Sequence, residues 1–327
     1  MRQALRNICL PLKPDQPQWA GLQAALGLAL AAVAWPASWL QVNPIGEFAF
    51  FPLWLGYILV VDALVLRRRG SSLLTRGPVA FWCMFLASVP LWWTFEGINN
   101  ITQTWYYIGD EEYSTLKYVV VASWSFSIVI PAVFETAELA GSFDAISRFG
   151  RGPVILPSRP FLATAITLGL LSLIALVLWP RYAYPVTWVC LILLLDPINY
   201  LRGHPSIIAW LSRGDWRLVA SLGAGALVCG WFWEMWNFWA FPKWHYSIAF
   251  VDFVRVFEMP LLGYAGYLPF GLEAYAVYHF LGGLLGFLPG RTKTDLQIGP
   301  SISVVHSRTG ASSRGRGRPS PEGGPAA

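Results

Sequence analysis

The stretch Gly230–Tyr246, GWFWEMWNFWAFPKWHY, gathers five Trp around one Glu and one Asn. An earlier stretch, Trp92–Tyr107 (WWTFEGINNITQTWYY), has the same skeleton. Trp93, Glu96, Asn99, Trp105 and Tyr107 stand in the order of Trp231, Glu234, Asn237, Trp244 and Tyr246, at offsets of 138, 138, 138, 139 and 139. An offset that holds over many positions marks an internal duplication, here with one insertion. Lys117 and Arg255, Pro131 and Pro269, and Glu135 and Glu273 extend it at 138. Upstream, Trp54 and Asp62 match Trp188 and Asp196 at 134, and Leu74-Thr75-Arg76-Gly77 matches Leu211-Ser212-Arg213-Gly214 at 137.

The residues around these stretches set the class of molecule. Of 327 residues 55% are hydrophobic and only 13% charged, with mean hydropathy +0.49, which is the composition of an integral membrane protein. Eighteen Trp and 13 Tyr suit the level of the lipid headgroups, where a ring with one polar edge is at home. The net charge of +5 comes from basic residues between apolar segments and in the tail, so it speaks of orientation and not of a nucleic-acid partner. Cys9, Cys83, Cys190 and Cys229 show neither disulfide nor metal-ligand spacing, and His204, His245, His279 and His306 are scattered. With no Gly-rich or Cys/His motif either, no cofactor and no metal are expected.

Apolar runs long enough to cross about 30 Å of hydrocarbon lie near 19–40, 48–66, 79–98, 116–140, 160–179, 185–201, 217–241 and 256–288. The expected fold is therefore all-α, a polytopic membrane protein of about eight transmembrane helices in two tandem parallel four-helix repeats. Residues 1–18 form a retained N-terminal segment, 19–140 the first repeat, 141–159 a linker, 160–290 the second repeat and 291–327 a disordered basic tail. Arg67, Arg68, Arg69, Arg76, Arg148, Arg151, Arg159, Arg202 and Arg213 fall in alternate loops, which places those loops and both termini in the cytoplasm of a cell-membrane protein. An even number of helices per repeat makes the copies parallel, related by an axis along the membrane normal.

A carboxylate within a span costs a few kcal/mol or more and usually faces a protein interior or a wet cavity. Asp62 and Asp196, near the cytoplasmic ends, read as helix caps or partners of a loop Arg. Glu96 and Glu234 have Asn99 and Asn237 at i+3 on the same helix face. They form either an interfacial pair that fixes the start of the outer loop or part of a site, a reading raised by Trp231, Trp233, Trp236 and Trp239, which occupy every side of the second helix and cannot all face lipid. Glu135 and Glu273 are the deepest, each four residues after a Pro that kinks its helix. A carboxyl in a dry pocket can serve as an acid, and can equally tie two helices together. The pairs Trp105/Tyr107 and Trp244/Tyr246 act as interfacial anchors or as a platform for a ligand.

The order of an acidic residue after Trp (Trp233-Glu234), Trp-x-Tyr in an outer loop (Trp244, Tyr246) and Pro followed closely by Glu (Pro269, Glu273) resembles the membrane domain of the heterodimeric and fused lycopene cyclases. Glu96, Trp105, Tyr107, Pro131 and Glu135 give the same order in the first copy. That resemblance implies two domains acting together, with acidic residues that protonate an isoprenoid without a metal. Neither copy has that family's Pro-x-Glu-Glu run, and four helices per copy stand where the cyclase domain has three.

Three functions follow as expectations. The first is an acid–base enzyme acting on a carotenoid or other isoprenoid, an isomerase with Glu135 or Glu273 as proton donor and Glu96 or Glu234 as the conjugate carboxylate. Its apolar ligand would lie against Asn99, Asn237, Trp93, Trp231, Trp233, Trp105, Trp244, Tyr107 and Tyr246. The second is a proton-coupled transporter of a small solute or lipid, and the third a structural membrane subunit whose polar residues hold helices together. An apolar pocket at the carboxylates favours the enzyme; a polar path toward both faces favours the transporter.

Overall fold

The computed structural model describes residues 19–111, 113–286 and 296–299. The expected N-terminal segment, both termini, and all but four residues of the tail lie outside them. The described chain is mostly helical: α1 (Trp19–Trp39), α2 (Phe50–Arg69), α3 (Leu73–Arg76), α4 (Pro78–Thr102), α5 (Thr115–Phe126), α6 (Val129–Gly141), α7 (Asp144–Ser147) and α8 (Arg159–Leu178) come first. They are followed by α9 (Pro180–Ala183), α10 (Cys190–Leu201), α11 (Ile207–Leu211), α12 (Arg217–Asn237) and α13 (Tyr267–Leu285). Two small sheets complete it, β1 (Trp105–Ile108) with β2 (Lys243–Tyr246), and β3 (Arg255–Val256) with β4 (Met259–Pro260).

Among the described residues six helical segments are long and apolar enough to cross a membrane: α1, α2, α4, α5 with α6, α8 and α12. A seventh is added if Pro180–Trp188 and α10, bent by 40° where they meet, form one broken span. The chain is thus a multi-pass membrane protein by the length and composition of its helices. Close backbone approach joins α1 to α2, where Gly27 and Gly56 face one another and a Cβ on either would strike the other's carbonyl. α6 packs on α2, α4 and α12, and α13 on α10, α4 and α12.

Three expected spans differ in detail. Residues 116–140 are broken between Phe126 and Val129, because Ser88 of α4 accepts the Ile130 N–H at 2.9 Å and Pro131 has none to give. Residues 185–201 open with a 3₁₀ turn at Tyr184–Trp188, with Pro185 in its second position, before the α-helix starts at Cys190. Within 256–288 the helix begins only at Tyr267. Before it the β3–β4 hairpin turns through Phe257 at φ 57°, and Glu258 bonds Lys243 Nζ at 2.6 Å and His245 Nδ1 at 2.8 Å, both in β2. These partners hold the segment at the bundle's end, away from a helical span.

The expected kinks at Pro131 and Pro269 are corrected as well. Each Pro occupies the first turn of its helix, where its missing N–H would have no intrahelical partner anyway. Each therefore starts a helix, and Glu135 and Glu273 follow one turn in. Part of the tail is also ordered: Leu296 is buried, and Gly299 N–H bonds the Gly141 carbonyl at 3.1 Å. The apolar Leu296 and Ile298 give these four residues something to bury.

Candidate functional site

The two aromatic stretches meet. β1 and β2 pair antiparallel with Trp105 opposite Tyr246, Tyr106 opposite His245, Tyr107 opposite Trp244 and Ile108 opposite Lys243. Alternate side chains of a strand point to opposite faces, so Trp105, Tyr107, Trp244 and Tyr246 share the face toward the helices. Each strand is fixed to the helix before it by an Asn. Asn99 Oδ1 accepts the N–H groups of Thr104 and Trp105 at 2.9 and 3.1 Å, and its Nδ2 donates to the Trp105 carbonyl at 2.8 Å. Asn237 holds Trp244 in the same way, through N–H at 2.9 Å and carbonyl at 2.8 Å. Both Asn are strand anchors and neither lines the cavity described next.

Beneath this ribbon lies a cavity of about 180 Å³. A cavity that holds one water needs roughly 10–15 Å³, so there is room for a ligand fragment. Trp105, Tyr107, Trp244 and Tyr246 line it, with Trp92 of α4, Trp233 of α12 and Tyr267 of α13. Trp188 and Phe270 line it as well, with Glu47, Asp110 and Lys243.

Two buried carboxylates are bonded to this lining. Glu96 Oε1 accepts from Trp92 Nε1 at 2.9 Å, Trp105 Nε1 at 3.2 Å and the Tyr107 hydroxyl at 2.5 Å. Glu234 Oε1 accepts from the hydroxyls of Tyr246 at 2.8 Å and Tyr267 at 2.7 Å, and Trp244 Nε1 supports Tyr246 at 3.0 Å. Burial first, and the facing carboxylate second, push the hydroxyls of Tyr107 and Tyr246 above their ordinary value. Both therefore keep their protons and donate them. The two surroundings differ in one ring: at the offset of 138, Trp92 and Val129 stand where Gly230 and Tyr267 do. A Cβ on Gly230 would strike the Tyr267 ring. The third aromatic wall thus comes from α4 in one copy and from α13 in the other.

The remaining expected residues sit elsewhere. Trp93 bonds Ser123 Oγ at 3.0 Å and does not line the cavity. Trp231 is 48% exposed and lies against Phe257 on the outside of α12. Glu135 and Glu273 are fully buried and absent from the lining. Glu273 is the nearer, three residues beyond Phe270, and its Oε1 accepts the Leu191 N–H at 3.0 Å. Glu135 stands six residues beyond the lining residue Val129 and faces Asp62, Glu138 and Arg76. Asp62 and Asp196 are caps: Asp62 accepts from Ser72 Oγ and Leu74 N–H at the start of α3, and Asp196 from the N–H groups of Ile207 and Ile208 at the start of α11. Among the described residues no three His, Cys, Asp or Glu side chains converge as metal ligands.

Trp92, Tyr267, Trp188 and Phe270 were not among the expected site residues. Trp92 had a signal, since it stands four residues before Glu96 and so shares its helix face. Tyr267 had none, because its place in the first copy is taken by Val129. Comparison with protein-family models, curated proteins and solved structures yields no match. The chemistry of the site therefore rests on its own geometry.

Proposed function

We propose that this membrane protein is an acid–base enzyme acting on a long apolar substrate of the isoprenoid or carotenoid type, whose reacting part enters the aromatic cavity. The observation that carries this reading is the joining of two buried carboxylates to one aromatic cavity through hydroxyl and indole donors. Glu96 Oε1, held by three donors, is placed to face positive charge in the cavity. Glu234 Oε2 is buried without a partner, and is the atom that can hold and release a proton. Protonation of a carbon–carbon double bond leaves a carbocation, a second double bond closes on it, and loss of a proton gives an isomer, so atoms balance with no other reactant. Aromatic faces stabilise such a cation by roughly 0.5–2 kcal/mol each, more as water is excluded. The resemblance to the lycopene cyclases agrees with this chemistry, with Glu273 as a proton source beyond the cavity lining.

The same reading takes the chain as eight helices in two tandem parallel repeats, 19–140 and 160–290, with cytoplasmic termini. Its support is the run of matching offsets, and the matching packing of α6 on α2, α4 and α12 and of α13 on α10, α12 and α4.

A proton-coupled transporter is favoured by one observation, a second cavity of about 260 Å³ lined by His204, Ser206, Arg213 and Tyr275, toward the other end of α13. Binding separates the two. Titration of a linear isoprenoid into the detergent-solubilised protein should quench Trp fluorescence, and Trp233→Ala and Tyr267→Ala should weaken that response. Quenching unchanged by both substitutions removes the cavity from the account.

A further inference from the structure

Glu96 Oε1 and Glu234 Oε1 find their partners within the cavity wall, and a further group of buried polar atoms, on α13 and the segment facing it, has none. On α13, Glu273 Oε2 and both ring nitrogens of His279 are buried without a hydrogen-bond partner. On the facing segment the same is true of Asn199 Oδ1 and His204 Nδ1. These atoms are not scattered. Ala276, His279 and Gly283 lie within about 60° of one another round the helix, and Glu273, a turn earlier, within about 60° of Ala276. Asn199 Nδ2 bonds the Ala276 carbonyl at 2.8 Å, His204 is within electrostatic reach of His279, and the His204 ring lies where a Cβ of Gly283 would be. His204 in turn lines the inner cavity of about 260 Å³.

Buried polar groups in folded proteins are paired, and where no protein partner exists an ordered water supplies the bond. A row of such groups from a cavity to a carboxyl is a path along which a proton can move. We propose that His204, His279 and Asn199, with the waters between them, relay protons from the inner cavity to Glu273, which stands three positions, about 4.5 Å of axial rise, beyond the lining residue Phe270. Each hop takes one proton onto a ring nitrogen or water and releases one from its far side, so the relay returns to its starting state without any electron transfer. The end nearest the aromatic cavity rests on the acid–base reading above; the path itself does not.

The first copy is closed at the same place. At the offset that relates Glu135 to Glu273, Glu138 stands for Ala276 and Gly141 for His279, and at the offset that relates Asp62 to Asp196, Val65 stands for Asn199. Glu138 is taken up by a two-pronged bond with Arg76 at 2.7 and 2.8 Å, and Ile298 covers Gly141. The second copy thus carries Asn199 and His279 where the first has Val65 and Gly141, which gives the two copies different duties.

The test needs no substrate, so its failure and that of the enzyme reading are separate events. The full-length protein, labelled with ¹⁵N at its four His and held in lipid nanodiscs, is moved into D₂O, and loss of the His279 ring N–H signal is followed by NMR. That signal is assigned by its absence in His279→Gln. The relay predicts exchange nearly as fast as for an exposed imidazole, slowed by an order of magnitude or more in His204→Phe. In His204→Ala, imidazole added to the buffer should restore the rate, a rescue that a purely structural His204 would not show. Glu273→Gln should leave His279 exchange fast, because the proton enters from the other end. A His279 ring proton protected as long as core amides, a rate indifferent to both His204 substitutions, or a rate that falls in Glu273→Gln would each overturn the proposal.

Discussion

The Tyr267 ring fills the space that Gly230 leaves on α12, and from there its hydroxyl reaches Glu234 Oε1 at 2.7 Å. A helix that starts well after Gly230 in the chain is thereby locked to the carboxylate in the middle of the site. Gly230→Ala should push the ring aside and cost about 1–3 kcal/mol, as overpacking of a filled core does. Tyr267→Phe keeps the ring and removes only the hydroxyl. It leaves Glu234 with one donor fewer, at a cost of about 1–3 kcal/mol. Thermal unfolding in a fixed detergent reads both; a Gly230→Ala protein as stable as the parent would contradict the packing.

Asn237→Ala should release both backbone bonds that hold Trp244, and Asn99→Ala those that hold Thr104 and Trp105. Each substitution strands buried N–H groups, so a loss of about 1–3 kcal/mol is expected. Near-ultraviolet circular dichroism should weaken as β1 and β2 lose their shared register. An unchanged spectrum with unchanged stability would show that the ribbon holds without its anchors.

Arg76 and Glu138 form a pair in which Glu138 is fully buried. Removing Arg76 leaves an uncompensated buried carboxylate, and Arg76→Ala should cost about 3–5 kcal/mol. The double substitution Arg76→Ala with Glu138→Leu should recover most of that loss. Losses that simply add in the double variant would mean that the two groups act independently.

Outside the spans, Glu47 is held below its ordinary value by bonds from Lys117 Nζ and the Tyr113 hydroxyl, both at 2.5 Å. A depressed carboxylate adds stability above the unfolded Glu value, about 4.3, and that stability is lost as pH falls through the folded value. The melting temperature should therefore drop on acidification below that point by more in the parent than in Glu47→Gln. Equal slopes in the two proteins would remove Glu47 from the acid response.

How much of this was legible in the residues can be said position by position. Trp, Glu and Asn are uncommon enough that their repetition at one offset stood out, and the apolar runs announced membrane helices because no water-soluble fold tolerates so many. Asp62 and Asp196 were readable as caps, since each precedes a loop with a Ser and a short apolar turn. What did not show was the pairing of β1 with β2, because hydrogen bonds between strands so far apart in the chain leave no local trace. Lining and lipid-facing Trp also looked alike: Trp231 and Trp233 are two residues apart, and only the packing of α13 against α12 turns one inward and leaves the other 48% exposed. Glu135 and Glu273 matched in sequence, yet their neighbours diverged, Glu138 and Gly141 against Ala276 and His279, so their surroundings could not be transferred from one to the other.

The most direct test is pigment and lipid analysis of a host that accumulates linear carotenoids, making either the parent protein or Glu234→Gln. The account predicts a cyclised or otherwise isomerised product with the parent, lost with Glu234→Gln while the variant protein remains in the membrane at the parent's level. A profile unaltered by the parent, or a product that persists undiminished in Glu234→Gln, would contradict it.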